Sequence, residues 1–285
     1  SLWFRKYTGR ALGIASVGVS FAGFVFPNLT SFLLGDLGLT WREAYLLFGV
    51  LIILINIPVV YLFIVNKPSD INQMPDGEEI TDNAEDTSGI DWTIPELLKD
   101  KNFWILSLVF AIQFCSMMGI LSHLTFFSEG AGWSLSWGAF IFSMYAWPAM
   151  FSKVFFGWLV ENKMDARVAV SVAILIQAIA TLLMIFVESP EQMVVLVMIF
   201  GFGGGSALPL SNILFNQAYT NKSFGKARGA AQPFISIFQI SGTLVAARMF
   251  DVFGNYELAF LTLGFILIVP IIAIWFMKIE SKLTS

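Results

Sequence analysis

Residues 66–101 read NKPSDINQMPDGEEITDNAEDTSGIDWTIPELLKDK, the one long polar stretch in an apolar chain. It carries Asp70, Asp76, Glu78, Glu79, Asp82, Glu85, Asp86, Asp91, Glu96 and Asp100, half of the chain's 20 acidic residues. A segment this polar cannot lie in hydrocarbon, where no water satisfies its backbone and side chains. It must run through water and join two blocks of apolar segments. Two such segments precede it and six follow.

Each flanking segment is long enough to cross a bilayer, which takes about 20 apolar residues at 1.5 Å rise. The expected spans are Ala11–Gly35, Ala44–Val65, Asn102–Ser128, Ser136–Val160, Val168–Val187, Gln192–Phe215, Gly229–Ala247 and Leu258–Met277. Unbroken runs of this length argue against the short alternating strands of an outer-membrane barrel. The composition agrees: 57% of residues are hydrophobic and 13% charged, with mean hydropathy +0.76. A soluble domain of this size could not hide that much apolar surface. The expected fold class is all-α, a polytopic membrane protein. The net charge of −4 reflects the loop, and no basic arm or phosphate cradle suggests nucleic acid. A single cysteine, Cys115, lies inside an apolar run, so no disulfide framework or thiol–metal set is expected.

Sidedness follows from the basic residues. If the Trp3–Arg10 segment lies inside and sides alternate, one side receives Arg5, Lys6, Arg10, Lys67, Lys99, Lys101, Lys163, Arg167, Lys222, Lys226, Arg228, Lys278 and Lys282. The other receives only Arg42 and Arg248, and Lys153 falls within a span. Positive charge resists translocation, so the acidic loop and the C-terminus are expected in the cytoplasm, with the protein in the cell membrane. Within the loop, Pro68 to Gly89 has the composition of a disordered segment. Thr93-Ile-Pro-Glu96 reads as a capping box with proline in the first turn, starting a short surface helix.

The two ends of the chain echo each other. A basic, Gly-containing start (Lys6, Gly9, Arg10, Gly13) leads to Trp41-Arg42-Glu43-Ala44-Tyr45 and then Gly49. Near the other end, Lys226, Arg228 and Gly229 lead to Tyr256-Glu257-Leu258-Ala259-Phe260 and then Gly264. Parallel repeats of this kind build many transporters. If spans one and two match spans seven and eight, the first repeat ends where the acidic loop begins. A first block of six spans then has four more on its N-terminal side. The expected division is residues 1–65 as the last two helices of an N-terminal half, 66–101 as inter-domain loop, and 102–285 as a complete six-helix half.

Two six-helix halves joined by a long cytoplasmic loop resemble the major facilitator superfamily. Trp3-Phe4-Arg5-Lys6…Arg10-Ala-Leu-Gly13…Gly18…Gly23…Pro27…Trp41-Arg42-Glu43-Ala44 is similar to the fifth and sixth helices of its monocarboxylate-transporter and oxalate/formate-antiporter-like branch. Phe224-Gly-Lys-Ala-Arg228-Gly229 and Asp251-Val-Phe-Gly254-Asn-Tyr256 resemble the end of that fold, and His123 followed by Gly130 and Gly132 resembles the exit of its seventh helix. The resemblance implies eight helices of a twelve-helix fold. It also implies secondary transport of a small organic anion, a monocarboxylate or dicarboxylate, by alternating access. In animal monocarboxylate transporters the eighth helix carries an Asp and, four residues on, an Arg. Here Lys153 falls on the Arg position and Ala149 on the Asp position, so the cation is kept in kind and its acid partner is absent. Proton coupling through that pair is left open. The segment Gly157-Trp-Leu159-Val-Glu161-Asn-Lys163-Met-Asp165-Ala-Arg167 stands for the superfamily's loop after the eighth helix, with altered spacing of its bases.

Among candidate site residues, Lys153 stands out. An ionisable group this deep costs roughly 3 kcal/mol even on a lenient insertion scale, and normally faces a water-filled cavity. It would pair with a substrate carboxylate; the plainer alternative is a lysine snorkelling to headgroups. His123, the one histidine, could line the outer vestibule or simply hydrogen-bond at the interface. Gln113, Asn212 and Gln239 could line a substrate path or bond between helices. The run Gly201-Phe-Gly203-Gly204-Gly205-Ser206…Pro209 lacks the Lys-Ser/Thr and preceding strand of a phosphate loop. Gly203, Gly204, Gly205 and Pro209, with Gly23, Gly157 and Gly242, are expected to serve close packing or gating. No nucleophile–histidine–acid set or metal-ligand spacing is visible, so no catalytic residue, metal or cofactor is expected. A non-transporting membrane sensor or assembly partner with the same fold is the alternative reading.

Overall fold

The structure is a computed structural model that describes residues 3–4, 8–65, 68–71, 73–74, 91–162 and 164–278. Eight helices are long and apolar enough to cross a membrane: Val17–Asp36, Trp41–Phe63, Lys101–Gly130, Ser136–Glu161, Ala166–Phe186, Pro190–Tyr219, Lys222–Phe253 and Glu257–Phe276. We number them as spans one to eight. Each coincides with an expected segment to within two turns. The largest extension is at the start of span seven, where Lys222–Arg228 is charged but still helical, because helix formation at an aqueous boundary needs no apolar side chains. Among the described residues no strand occurs.

Proline shapes three spans in the same way. Its ring nitrogen cannot donate to the carbonyl four residues back, and the ring crowds that carbonyl. Pro148 withholds the bond to Met144, and span four breaks at Tyr145. Pro209 withholds the bond to Gly205, and span six breaks at Ser206, whose Oγ donates to the Gly203 carbonyl at 3.0 Å. Pro270 does the same to Ile266, where span eight breaks.

Spans six and seven share one run of helical backbone, Ala207–Phe253, yet they form a hairpin. Arg228 Nε donates to Asn212 Oδ1 at 3.2 Å. Sixteen residues of straight helix would hold these side chains' backbones about 24 Å apart. The chain therefore reverses near Tyr219–Lys222.

The core belongs to spans three to eight. Two clusters of buried apolar side chains, one around Phe103, Phe110, Ile174 and Phe215 and one around Ile120, Leu124, Ile141 and Phe200, draw every member from residue 97 onward. Span three is the axle, with 72% of its most apolar window buried, and it packs along span seven. Span six sits between spans four and five. Span one leans on span four, and span two is 0% buried in its window and touches mainly the end of span one.

The turns on the loop face are stapled together. Thr93 N–H and O–H both donate to Glu96 Oε2, at 2.8 and 2.7 Å, and start the expected surface helix, Ile94–Leu97. Trp92 N–H donates to Ser223 Oγ at 2.9 Å, Lys226 pairs with Asp91 at 2.6 Å, and Tyr219 O–H donates to Asp100 Oδ2 at 2.6 Å. Asn102 and Lys278 exchange bonds at 3.0 and 3.1 Å, which ties the end of span eight to the start of span three. Of the expected disordered segment, Pro68–Ile71 forms a 3-10 turn, and 75–90 lie outside the described residues. Arg5, Lys6, Lys67, Lys163 and Lys282 from the charge argument also lie outside them.

On the far face, the hairpins joining spans one to two and seven to eight are alike. Each turns through a left-handed glycine, Gly38 at φ 66° and Gly254 at φ 73°, three residues before the next helix begins. A side chain at either position would be strained. Each following helix then buries an early alanine, Ala44 and Ala259.

Candidate functional site at the seam of spans one and four

Beyond its break, span four buries Ala146, Ala149, Ser152, Lys153, Phe156 and Gly157, a stripe of helical period. Lys153 lies in the middle of that stripe and is only 5% exposed. Its Nζ donates to Ser20 Oγ on span one at 2.7 Å, and Ser20 is equally buried. The ammonium thus sits between span one and the six-span core, instead of reaching for headgroups.

Small residues make this placement possible. Gly201 and Gly205 of span six press on Tyr145 and Ala149 of span four so closely that a Cβ at either would overlap backbone. Gly203 meets span five, where a Cβ would lie 2.6 Å from both the Ala173 carbonyl oxygen and the Gln177 nitrogen. Gly204 and Pro209 are buried alongside. Gly23 of span one faces Ala146, and an added Cβ would lie 3.6 Å from the Ala146 Cβ. Gly242 packs on Cys115 between spans seven and three, and Gly157 lies buried toward the loop face.

The seam is not solid. A small cavity of about 20 Å³ is lined by Ser20, Phe21, Phe24, Ala146, Trp147 and Met150, directly beside the Lys153–Ser20 contact. Farther from the loop face, a cleft of about 300 Å³ is lined by Pro27, Thr30, Ser31, Leu34, Thr125, Ala139 and Phe142. On span one the lining steps from residue 34 back to 20, and on span four from 139 forward to 150.

The other candidates are not gathered around Lys153. His123 is buried, and both ring nitrogens are engaged within the core: Nε2 lies 3.1 Å from the Thr243 carbonyl and Nδ1 3.1 Å from Tyr256 Oη. A carbonyl only accepts, so Nε2 carries the proton and, in the neutral ring, Nδ1 accepts from the tyrosine. Gln113 is buried inside the bundle, its Nε2 donating to Gln177 Oε1 at 3.3 Å and its backbone carbonyl accepting from Gln177 Nε2 at 3.4 Å. Asn212 holds Arg228 near the loop face, and Arg228 also donates to Gln232 at 2.8 Å. Gln239 is half-buried on span seven. Ser20, which contacts the lysine, was not singled out from the sequence, since one serine on an apolar helix carries no signal. The described residues hold no cluster of His, Cys, Asp and Glu fit for a metal.

Comparison with known proteins places this geometry in a family. The family model of the Major Facilitator Superfamily matches residues 1–190 and again 139–284. Monocarboxylate transporter 13 of Bos taurus is 24% identical over 270 residues, covering 93% of this chain and 58% of its own length. Monocarboxylate transporter 13 of Rattus norvegicus is 25% identical, with the same coverage. An MFS-type transporter of Gibberella moniliformis is 21% identical, covering 89% of this chain and 57% of its own length. The chain thus spans under three-fifths of the length of these relatives. With eight apolar helices, no strand among the described residues and the family model matched over residues 1–190 and 139–284, the chain belongs to the Major Facilitator Superfamily and is a multi-pass membrane protein.

Proposed function

We propose that this chain forms part of a secondary transporter that moves a small organic anion, a monocarboxylate in the first instance, by alternating access. The supporting observation is Lys153, buried at the seam between span one and the six-span core and hydrogen-bonded across it to Ser20. In this reading residues 1–65 and 102–285 belong to two halves that rock about the seam, with 66–101 as a cytoplasmic tether. A carboxylate arriving beside Lys153 forms a charge-assisted hydrogen bond, stronger than the bond to a neutral hydroxyl. It therefore displaces Ser20 from the ammonium. Releasing that contact frees span one from span four, which couples binding to the motion. Two of the relatives are named as monocarboxylate transporters, which favours one carboxylate over two. His123 and Gln113 are engaged inside the core and act as its internal struts, while Asn212 orients Arg228.

The test is uptake of labelled short-chain acids by the whole protein in proteoliposomes. Lys153→Ala should lower uptake by at least about tenfold, the equivalent of roughly 1.4 kcal/mol. Lys153→Arg should keep part of it. Removing a buried charge relieves a desolvation cost, so the alanine variant should remain folded. Undiminished uptake by the alanine variant would remove Lys153 from the mechanism.

A further inference from the structure

The larger cleft does not touch Lys153. On span one the Lys153 ammonium rests against Ser20, seven residues from Pro27 of the lining, about 10 Å along the helix. A small acid seated in the cleft cannot reach the ammonium. The cleft has a character of its own: Pro27, Leu34, Ala139 and Phe142 give it apolar walls, and its lining contains no charged residue. Its volume of about 300 Å³ is at the small end of what a small organic ligand fills.

Its polar groups are hydroxyls. Thr30 Oγ1 is engaged with the Phe26 carbonyl at 2.7 Å. Among the described residues Ser31 and Thr125 make no hydrogen bond through their hydroxyls, although a helical serine or threonine in a membrane ordinarily bonds back to its own helix. They stand on different spans, Ser31 on span one and Thr125 on span three. Two uncommitted hydroxyls in an apolar cleft can each donate and accept, so they suit an uncharged hydrogen-bonding group. A bare carboxylate gains nothing there from a countercharge and loses its water.

We propose that this cleft is a second binding station, which recognises the uncharged body of a short-chain carboxylic acid before Lys153 recognises its charge. The proposal rests on the transport reading above for its place in the cycle. Selection is thereby split: the cleft reads size and apolarity, with Ser31 and Thr125 holding an oxygen or amide, and the lysine reads the carboxylate. It follows that a primary amide, which lacks the charge, binds the cleft better than the carboxylate does. The same amide gains nothing at Lys153.

The probes are butyrate and butyramide. The whole protein carries Thr30→Cys, at a lining position whose hydroxyl is already engaged, in a background with Cys115→Ser, and modification by a membrane-impermeant thiosulfonate is timed. Butyramide should slow modification by the factor 1 + [L]/Kd, about threefold at twice its Kd, and butyrate should do so only at higher concentration. Protection should persist when Lys153→Ala is added. It should be lost with Ala139→Trp, which fills the cleft, and weakened with Thr125→Val, which removes a hydroxyl at nearly constant shape. Protection by butyrate but not butyramide, protection that disappears with Lys153→Ala, or protection by neither compound would overturn the proposal. Uptake measured in the same vesicles keeps the two readings apart. Protection by both probes alongside uptake indifferent to Lys153→Ala would leave the cleft standing and defeat the role given to the lysine.

Discussion

At Gly242 spans three and seven touch backbone to backbone. A Cβ there would overlap the Cys115 carbonyl oxygen, and one on Gly119 would lie 2.9 Å from the Gly242 carbonyl oxygen. Neither neighbour is the movable end of a side chain, so the helices themselves would have to part. Overpacking of this kind typically costs about 1–3 kcal/mol. Gly242→Ala should therefore lower the thermal midpoint of the purified protein in detergent. Gly225→Ala is the matched control, because nothing lies within 4 Å of a Cβ there. It should leave the midpoint unchanged or raise it, since alanine favours the helix. Equal effects at the two sites would mean that the span three–seven contact does not limit stability. At Lys153 the sequence showed a costly charge at a given depth, but not which way the side chain turned. That direction depends on the break at Tyr145, which rotates the second half of span four relative to the first, and on Ser20 from a helix more than a hundred residues away.

At the scale of single elements, the segment Asp91–Asp100 is a strap across the turn between spans six and seven. Its bonds to Ser223, Lys226 and Tyr219 are joined by an edge-on contact of Trp92 with Tyr219, centroids 5.6 Å apart. The hydrogen bond from Lys226 holds the Asp91 carboxyl below its ordinary value of 3.8. A lowered folded-state pKa contributes stability above the unfolded value, and that contribution is lost as pH falls through the lowered one. The strap should therefore hold unchanged between about pH 5 and 8 and loosen only in strong acid. Amide exchange over residues 92–98 is the measurement. Lys226→Met should speed it at neutral pH, and a large change between pH 5 and 8 would show that other groups govern the strap. The sequence disclosed the start of this element, because a capping box is local: Thr93 and Glu96 carry it together. It did not disclose the strap, whose partners lie more than a hundred residues on. The same division holds elsewhere. Span existence was legible because hydropathy over some 20 residues is a local sum. The hairpin inside Ala207–Phe253 was legible from the charges at Lys222–Arg228, although the backbone stays helical through the turn. The separation of His123, Gln113 and Asn212 into three different surroundings was not legible, because polar residues in a span look alike until their neighbours are known.

At the scale of the whole molecule, burial divides the chain unevenly. Spans three to eight bury a continuous core among themselves, while span two buries Ala44 alone and span one only Ser20 and Leu33. Span one meets the core along span four, at the contact that carries Lys153, the small cavity and the cleft. Span one can shift along that seam without disturbing the core of spans three to eight, as the proposed alternating access would require. The like hairpins at Gly38 and Gly254 support the view that the first two spans and the last two are copies of one unit in two halves. The seam can be locked at a chosen point. An added Cβ on Gly23 would stand 3.6 Å from the Ala146 Cβ, within the 3.5–4.5 Å range that a disulfide bridges without strain. The double variant Gly23→Cys/Ala146→Cys, with Cys115→Ser, should therefore form a cross-link under mild oxidation. If transport requires span one and span four to shift against each other, the oxidised protein should lose uptake and regain it on reduction, while each single variant responds to neither treatment. A cross-link that forms in full and leaves uptake intact would show that these two spans travel as one body. The moving boundary would then lie elsewhere, and Lys153 would sit inside a rigid unit instead of between two.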